Sequence, residues 1–286
     1  MSASTATLTP PTVHREHTNV TATMSAFTTL TRRRLALSAR TPRELLVPLL
    51  TPVLFALVIA PALASIGPTI PGIDYMSFAA VGTVGLLIPL NCMFSGIGVI
   101  LDRETGARRD LLAAPVSRPL IVLANLAVAL MITALQVVVL VIAAVLRGAN
   151  LNTSVSGTTW FLGAAVLLGI TMYGVAETLA NRIPTVEEYI GALPAIAIVP
   201  FFFAGSLFPI TALPWAMTGF ARLLPLTHAL ALMRYGLLDH NANGLRDIWG
   251  MSNTTAMAAL SLAVLAASAA VFTALALRTF RKSVES

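Results

Sequence analysis

Between residues 45 and 277 the chain alternates long uncharged apolar runs with short polar breaks. A helix needs about 20 apolar residues to cross the hydrocarbon of a bilayer. Runs of that order predict six spans, over approximately 45–65, 77–101, 119–146, 158–180, 189–207 and 253–277. Runs this long read as helices, which satisfy their backbone groups internally, rather than as barrel strands. Pro48, Pro52 and Pro61 in the first run, and Pro194 and Pro200 in the fifth, are compatible with this because neighbouring helices take up the freed backbone groups. In the second run Gly82, Gly85, Gly96 and Gly98 let helix backbones approach closely. Residues 208–251 break the pattern. Their apolar pieces are too short to cross and are interrupted by Pro209, Pro214 and Pro225, which suits interfacial or re-entrant helices packed against protein.

Polar stretches carry the rest of the organisation. Residues 1–23 are rich in Thr, Ser and Pro without apolar periodicity, the pattern of a flexible tail. Over 24–46, Phe27, Leu30, Leu35 and Leu37 alternate roughly by helical turns with Arg32, Arg33, Arg34, Arg40 and Arg43. This predicts either an amphipathic interface helix on an anionic membrane surface or a simple topogenic charge cluster. Ala62-Leu63-Ala64 before Ser65 has the spacing of a signal-peptidase site, but the polar leader before it is far longer than the usual n-region. The expected plan is a tail over 1–23, one membrane domain over 24–280 and a short tail over 281–286.

The break at 101–120, LDRETGARRDLLAAPVSRPL, concentrates Asp102, Arg103, Glu104, Arg108, Arg109, Asp110 and Arg118 between two spans. Asp102 is placed to cap a helix beginning at Arg103 and Glu104, and Pro115 to limit it on the far side. Leu111 and Leu112 would give that rod an apolar edge, and Arg103, Glu104, Arg108, Arg109 and Asp110 exposed charge. Such a rod can dock in a groove on a soluble partner. The alternative is an ordinary basic loop that fixes topology.

Composition narrows the class. The 286 residues are 57% hydrophobic and 10% charged, against about 25% charged in an average soluble domain, which excludes a soluble fold. The net charge of +6 comes almost wholly from arginine, Lys282 being the only lysine. These bases flank apolar runs, which points to topology and not to nucleic acid. With the N-terminus cytoplasmic, all of the 18 bases but Arg147, Arg222, Arg234 and Arg246 fall inside, so both termini are expected in the cytoplasm of a cell-membrane protein. Trp160, Trp215 and Trp249 then fall at the outer interface.

No catalytic constellation is present. A phosphate-binding P-loop needs a Gly-rich turn before Gly-Lys-Ser/Thr, and the lone lysine sits in FRKSVES without it. His14, His17, His228 and His240 show no metal-ligand spacing, and the single Cys92 offers no disulfide. Within the spans Asn91, Asn125 and Gln136 should face other helices or a cavity, where interhelical hydrogen bonding and substrate contact are both open to them. Glu177, an acid inside the fourth span, is either functional or paired with nearby Arg182. Met93, Phe94, Met131, Phe201, Phe202 and Phe203 could line a greasy passage or serve packing.

Two regions resemble the permease subunits of type-2 ABC exporters, the class that includes daunorubicin-type drug efflux and polysaccharide export. The first is DRETGARRDLLAAPVSR, where Glu104, Gly106, Leu111, Leu112, Pro115 and Arg118 fall on matching positions. Arg108 and Arg109 depart from the pattern, standing where many members place an apolar or acidic residue. The second follows the fifth span: Gly205, Phe208-Pro209, Leu213-Pro214, Pro225-Leu226-Thr227 and Arg234. The resemblance implies an all-α permease whose segment at 102–110 is a coupling helix for a separate P-loop ATPase in two copies. A second permease copy or paralogue would complete the pair. ATP and Mg would sit on the partner, with no cofactor and no catalysis on this chain, and a hydrophobic drug, toxin or lipid would be exported. Readings from other classes are an ion-coupled secondary transporter and a membrane assembly subunit.

Overall fold

The computed structural model describes residues 20–40, 46, 49–50, 53–59, 61–62, 73–151, 154–239 and 241–285. The protein is all-α, with ten labelled helices: α1 Val20–Arg40, α2 Tyr75–Glu104, α3 Ala107–Ala113, α4 Arg118–Leu146, α5 Val155–Ala180, α6 Val186–Phe203, α7 Trp215–Ala221, α8 Pro225–Leu237, α9 Asn243–Trp249 and α10 Thr254–Glu285. Of these, α2, α4, α5, α6 and α10 are each long and apolar enough to cross a bilayer. They coincide with the second to sixth expected spans. Of the first, expected over 45–65, only pieces are described, including a π-helical turn at Phe55–Ile59. That span as a whole, with Arg43, His14 and His17, lies outside the described residues.

Local chemistry sets the helix starts. Asp74 caps α2 by accepting from the Ser77 amide at 3.1 Å, and Ser154 caps α5 from Gly157 at 3.1 Å. Thr185 caps α6, with Glu187 and Glu188 in its first turn against the positive end of the helix dipole. Pro194 opens a π-helical turn, Pro194–Ile198, inside α6, the usual way a proline is absorbed mid-span.

Helices α2 and α5 form the centre. Leu87, Ile88, Met93 and Ile100 of α2 and Leu168 of α5 are fully buried. Helix α5 packs on α2, α8 and α10, and α2 also on α4 and α6. Val138, Ile142 and Leu146 of α4 remain exposed on the outside, as lipid-facing positions do.

At the end of the bundle holding the α2 and α10 N-termini, α7 and α8 meet at 80°. Helix α7 exposes Trp215 (89%) and Phe220, and Leu223 just past its end is exposed too (77%), the signature of an interfacial helix, whereas α8 is buried almost all round. This matches the interfacial and re-entrant pieces expected over 208–251. His228 is structural: its Nε2 donates to the Arg222 carbonyl at 2.9 Å, so Nδ1 of the neutral ring accepts from Ser261 of α10 at 3.2 Å. Trp249 of α9 donates to the same hydroxyl at 2.8 Å.

Arg234 of α8 is the fixed point of this end. Its guanidinium donates to the carbonyls of Gly205 (2.6 Å), Ser206 (2.8 Å) and Phe78 (3.3 Å) and lies 3.4 Å from the centroid of the Phe78 ring. It thereby ties α8 to the turn after α6 and to α2. Replacing Arg234 with Leu leaves those carbonyls without donors and should cost roughly 2–4 kcal/mol. A clear drop in melting temperature of the detergent-solubilised protein, smaller for Arg234→Lys, is the expected result.

Candidate functional site

The opposite end carries the segment singled out by its charge, and here the structure corrects the expected local geometry. Helix α2 does not stop before Asp102. Asp102, Arg103 and Glu104 continue its last turns, and the chain breaks at Thr105 and Gly106. Gly106 sits at φ +79°, a left-handed conformation open to glycine, and it starts α3. Asp102 is therefore not a helix cap. The apolar pattern of the span simply runs on into residues that are good helix formers, until glycine breaks it. At the other limit Ala114 is extended, as a residue before Pro115 must be, and the helix ends at Ala113 as the proline implied.

The freed Asp102 serves α1. Arg33 and Arg34 each approach its carboxylate at 3.5 Å. Arg34 also donates to the Ser95 carbonyl at 3.2 Å and lies against Gly98, where any Cβ would strike the guanidinium. Helix α1 lies along α4 and buries part of Phe27 and Leu30, while Leu35 and Leu37 stay exposed. Arg32 and Arg40 of the same helix are exposed.

The charges of 102–110 divide by face. Glu104, Arg109 and Asp110 are exposed. Arg103 turns inward and donates to the carbonyls of Ala180 (3.2 Å), Ile183 (2.7 Å) and Pro184 (2.7 Å), closing the C-terminal end of α5. Arg108 was expected outside, yet it is buried against α10. It donates to Ser283 Oγ at 2.6 Å, and its guanidinium lies 4.7 Å from the Phe280 ring centroid. Burial pushes the Arg108 pKa down, and Glu177 opposes this. Leu111 and Leu112 pack partly into the bundle and do not form a free edge.

Glu177, 1% exposed, does not pair with Arg182, which is exposed. Its carboxylate accepts from Tyr173 Oη at 2.8 Å and from Asn181 Nδ2 at 2.9 Å. Partners one helical turn away on its own helix satisfy it, so the more distant arginine is not needed.

Of the residues proposed to line a path, the structure gathers three. Asn91, Phe94 and Asn125 share a polar cavity of about 30 Å³ with Arg34, Ser38, Ser95 and Tyr173. Asn125 also borders a second cavity of about 20 Å³ with Asp102, Arg108 and Glu177. Asn91 donates to Thr133 and to the Ala129 carbonyl of α4, an interhelical bond. Met93 is core, its carbonyl accepting from Tyr189 of α6 at 2.8 Å, and Gln136 is buried. Phe201, Phe202 and Phe203 lie far away at the other end, buried, exposed and half-buried in turn, with Phe203 against Phe220. Met131 is exposed. An apolar space of about 330 Å³ lies between α4 and α5, lined by Ile88, Val137, Val141, Phe161 and Leu162, none of them singled out from the sequence.

Substituting Asp102 with Ala should loosen α1. Amide exchange across Val20–Arg40 is expected to rise by roughly tenfold while α2 and α5 keep their protection. Unchanged exchange would mean that apolar packing on α4 holds α1 by itself.

Comparison with known proteins places this geometry. The family model described as ABC-2 type transporter matches residues 25–238. The protein named transport permease ycf38 in Porphyra purpurea is 29% identical over 168 residues, and its counterpart in Pyropia yezoensis 32% over 170. Each match takes in 57% of this chain and 56% of the relative, so the chain spans about half the length of these curated relatives. The family match takes in α1, the α2–α3 break and the re-entrant α7–α8 pair together, and this multi-pass, all-helical membrane protein belongs to the ABC-2 type transporter family.

Proposed function

We propose that the chain is the permease subunit of an ABC exporter, driven by a separate P-loop ATPase that docks on the end formed by α1 and the outward face of the α2–α3 break. The observation that carries this reading is the α3 knob. It is bent away from α2 at Gly106, with Arg103 of α2 and Arg108 of α3 turned inward and Glu104 of α2 and Arg109 and Asp110 of α3 turned outward. A rigid, half-charged knob of this kind suits a groove on a soluble protein, since rim charges of both signs give register and specificity. This end is then cytoplasmic, with both termini on that side, in keeping with the arginines gathered there.

On this reading two permease chains and two ATPase subunits make the complex. ATP and Mg are held by the partner alone, and catalysis resides there. A hydrophobic cargo such as a drug, toxin or lipid is favoured by the apolar groove between α4 and α5. An ion-coupled transporter would need an intramembrane ionisable group free to change partners. Glu177 is committed to Tyr173 and Asn181, which weighs against that alternative.

Reversing an outward charge tests the docking face. Arg109→Glu and Glu104→Lys should each reduce the ATPase retained on the purified permease by roughly tenfold, with membrane insertion unchanged. Full retention by both variants overturns the docking face. Movement of a compound across vesicles by the purified chain, without nucleotide or partner, overturns the exporter reading.

A further inference from the structure

Arg108, Ser283, Asn181, Glu177 and Tyr173 form one continuous hydrogen-bonded chain across three helices. Arg108 of α3 donates to Ser283 Oγ of α10 at 2.6 Å, and Ser283 donates to Asn181 Oδ1, just past α5, at 3.1 Å. Asn181 then donates to Glu177 Oε1 at 2.9 Å, and Tyr173 closes the chain on Oε2 at 2.8 Å. The donors run in one direction when the single Ser283 proton is turned to Asn181; the same hydroxyl also lies 2.9 Å from the Phe280 carbonyl of its own helix. Each bond in such a chain polarises the next, so the links hold more firmly together than singly. A cationic end on α3 and an anionic end in α5 are thereby joined through the C-terminal turn of α10.

The backbone makes this route necessary. At Thr105 and Gly106 the helical ladder between α2 and α3 is broken, so α3 can pivot without carrying α2 with it. A pivoting helix hands on a displacement only through its side-chain contacts. Leu111 and Leu112 give α3 a partly buried apolar contact, and Arg108 is its fully buried residue, bonded most closely to Ser283 and at 3.5 Å to the Phe280 carbonyl. The receiving helix, α5, packs against α2, α8 and α10 and so reaches the far end of the molecule.

We infer that Ser283 and Asn181 are positioning residues that pass movement of α3 to α5, whereas Glu104, Arg109 and Asp110 serve docking alone. The inference rests on the ABC permease reading. It splits one charged segment into a face that holds the ATPase and a face that transmits its motion. Arg108, buried and bonded to Ser283, belongs to the second.

The test uses the full chain with its ATPase subunit in liposomes, reading ATPase retention and the ATP turnover added by the permease over the subunit alone. Ser283→Ala and Asn181→Leu should retain the ATPase at wild-type level while the permease-dependent turnover falls roughly threefold to tenfold. Ser283→Thr, which keeps the hydroxyl, should restore it, and the double variant should be no worse than the more affected single one, since both cut the same chain. A merely structural role would lower retention and turnover together and would not separate Thr from Ala. Wild-type turnover in Ser283→Ala, or equal loss in Ser283→Thr, overturns the inference and leaves the docking reading standing. If the wild-type permease neither retains an ATPase nor alters its turnover, the exporter reading falls and takes this inference with it.

Discussion

A charge withdrawn from water among apolar helices must find polar partners, and for the arginines at the basic end of this protein those partners lie on other helices. Asp102 collects Arg33 and Arg34, Arg103 fills the open carbonyls at the end of α5, and Arg108 reaches Ser283. Each pairing joins helices that are distant in the chain. Together they fix where α1 and α3 sit on the bundle, a task that apolar packing performs poorly where hydrocarbon gives helices no hydrophobic reason to associate. The far end meets the same demand with Arg234, which gathers three carbonyls around one guanidinium.

The spans were legible because burial in lipid imposes a long, simple pattern. The run expected over 77–101 is found as Tyr75–Glu104, that over 158–180 as Val155–Ala180, and the broken stretch at 208–251 as three short helices, the first two bent against each other. The stop before Pro115 was likewise written in a residue whose backbone preference is strong, whereas the break at Gly106 fell inside the helix expected from Arg103 onward. What escaped was direction. A short charged segment does not reveal which of its side chains will find a neighbour 70 or more positions away, so Asp102 read as a cap and Arg108 as exposed. Arg103 and Arg234 look, in sequence, like any other topogenic arginine.

The proposed path divides along the same line. Asn91 and Asn125 do meet at one cavity, as amides inside a bundle should, but they share it with Arg34 and Tyr173, from helices whose neighbourhood no periodicity disclosed. The aromatic run Phe201-Phe202-Phe203 looked like a single lining. A helix turns about 100° per residue, so three consecutive rings face three ways, and burial differs accordingly.

The shape of α8 bears on how the molecule is made. At 13 residues it is about 20 Å long, too short to lodge across a bilayer by itself, and it is buried on nearly every side by α2, α5 and α10. Two of those walls are synthesised before it, but α10 comes after. Until α10 is in place α8 therefore lacks one wall of its burial, and its Arg234 is held by the segments that precede it.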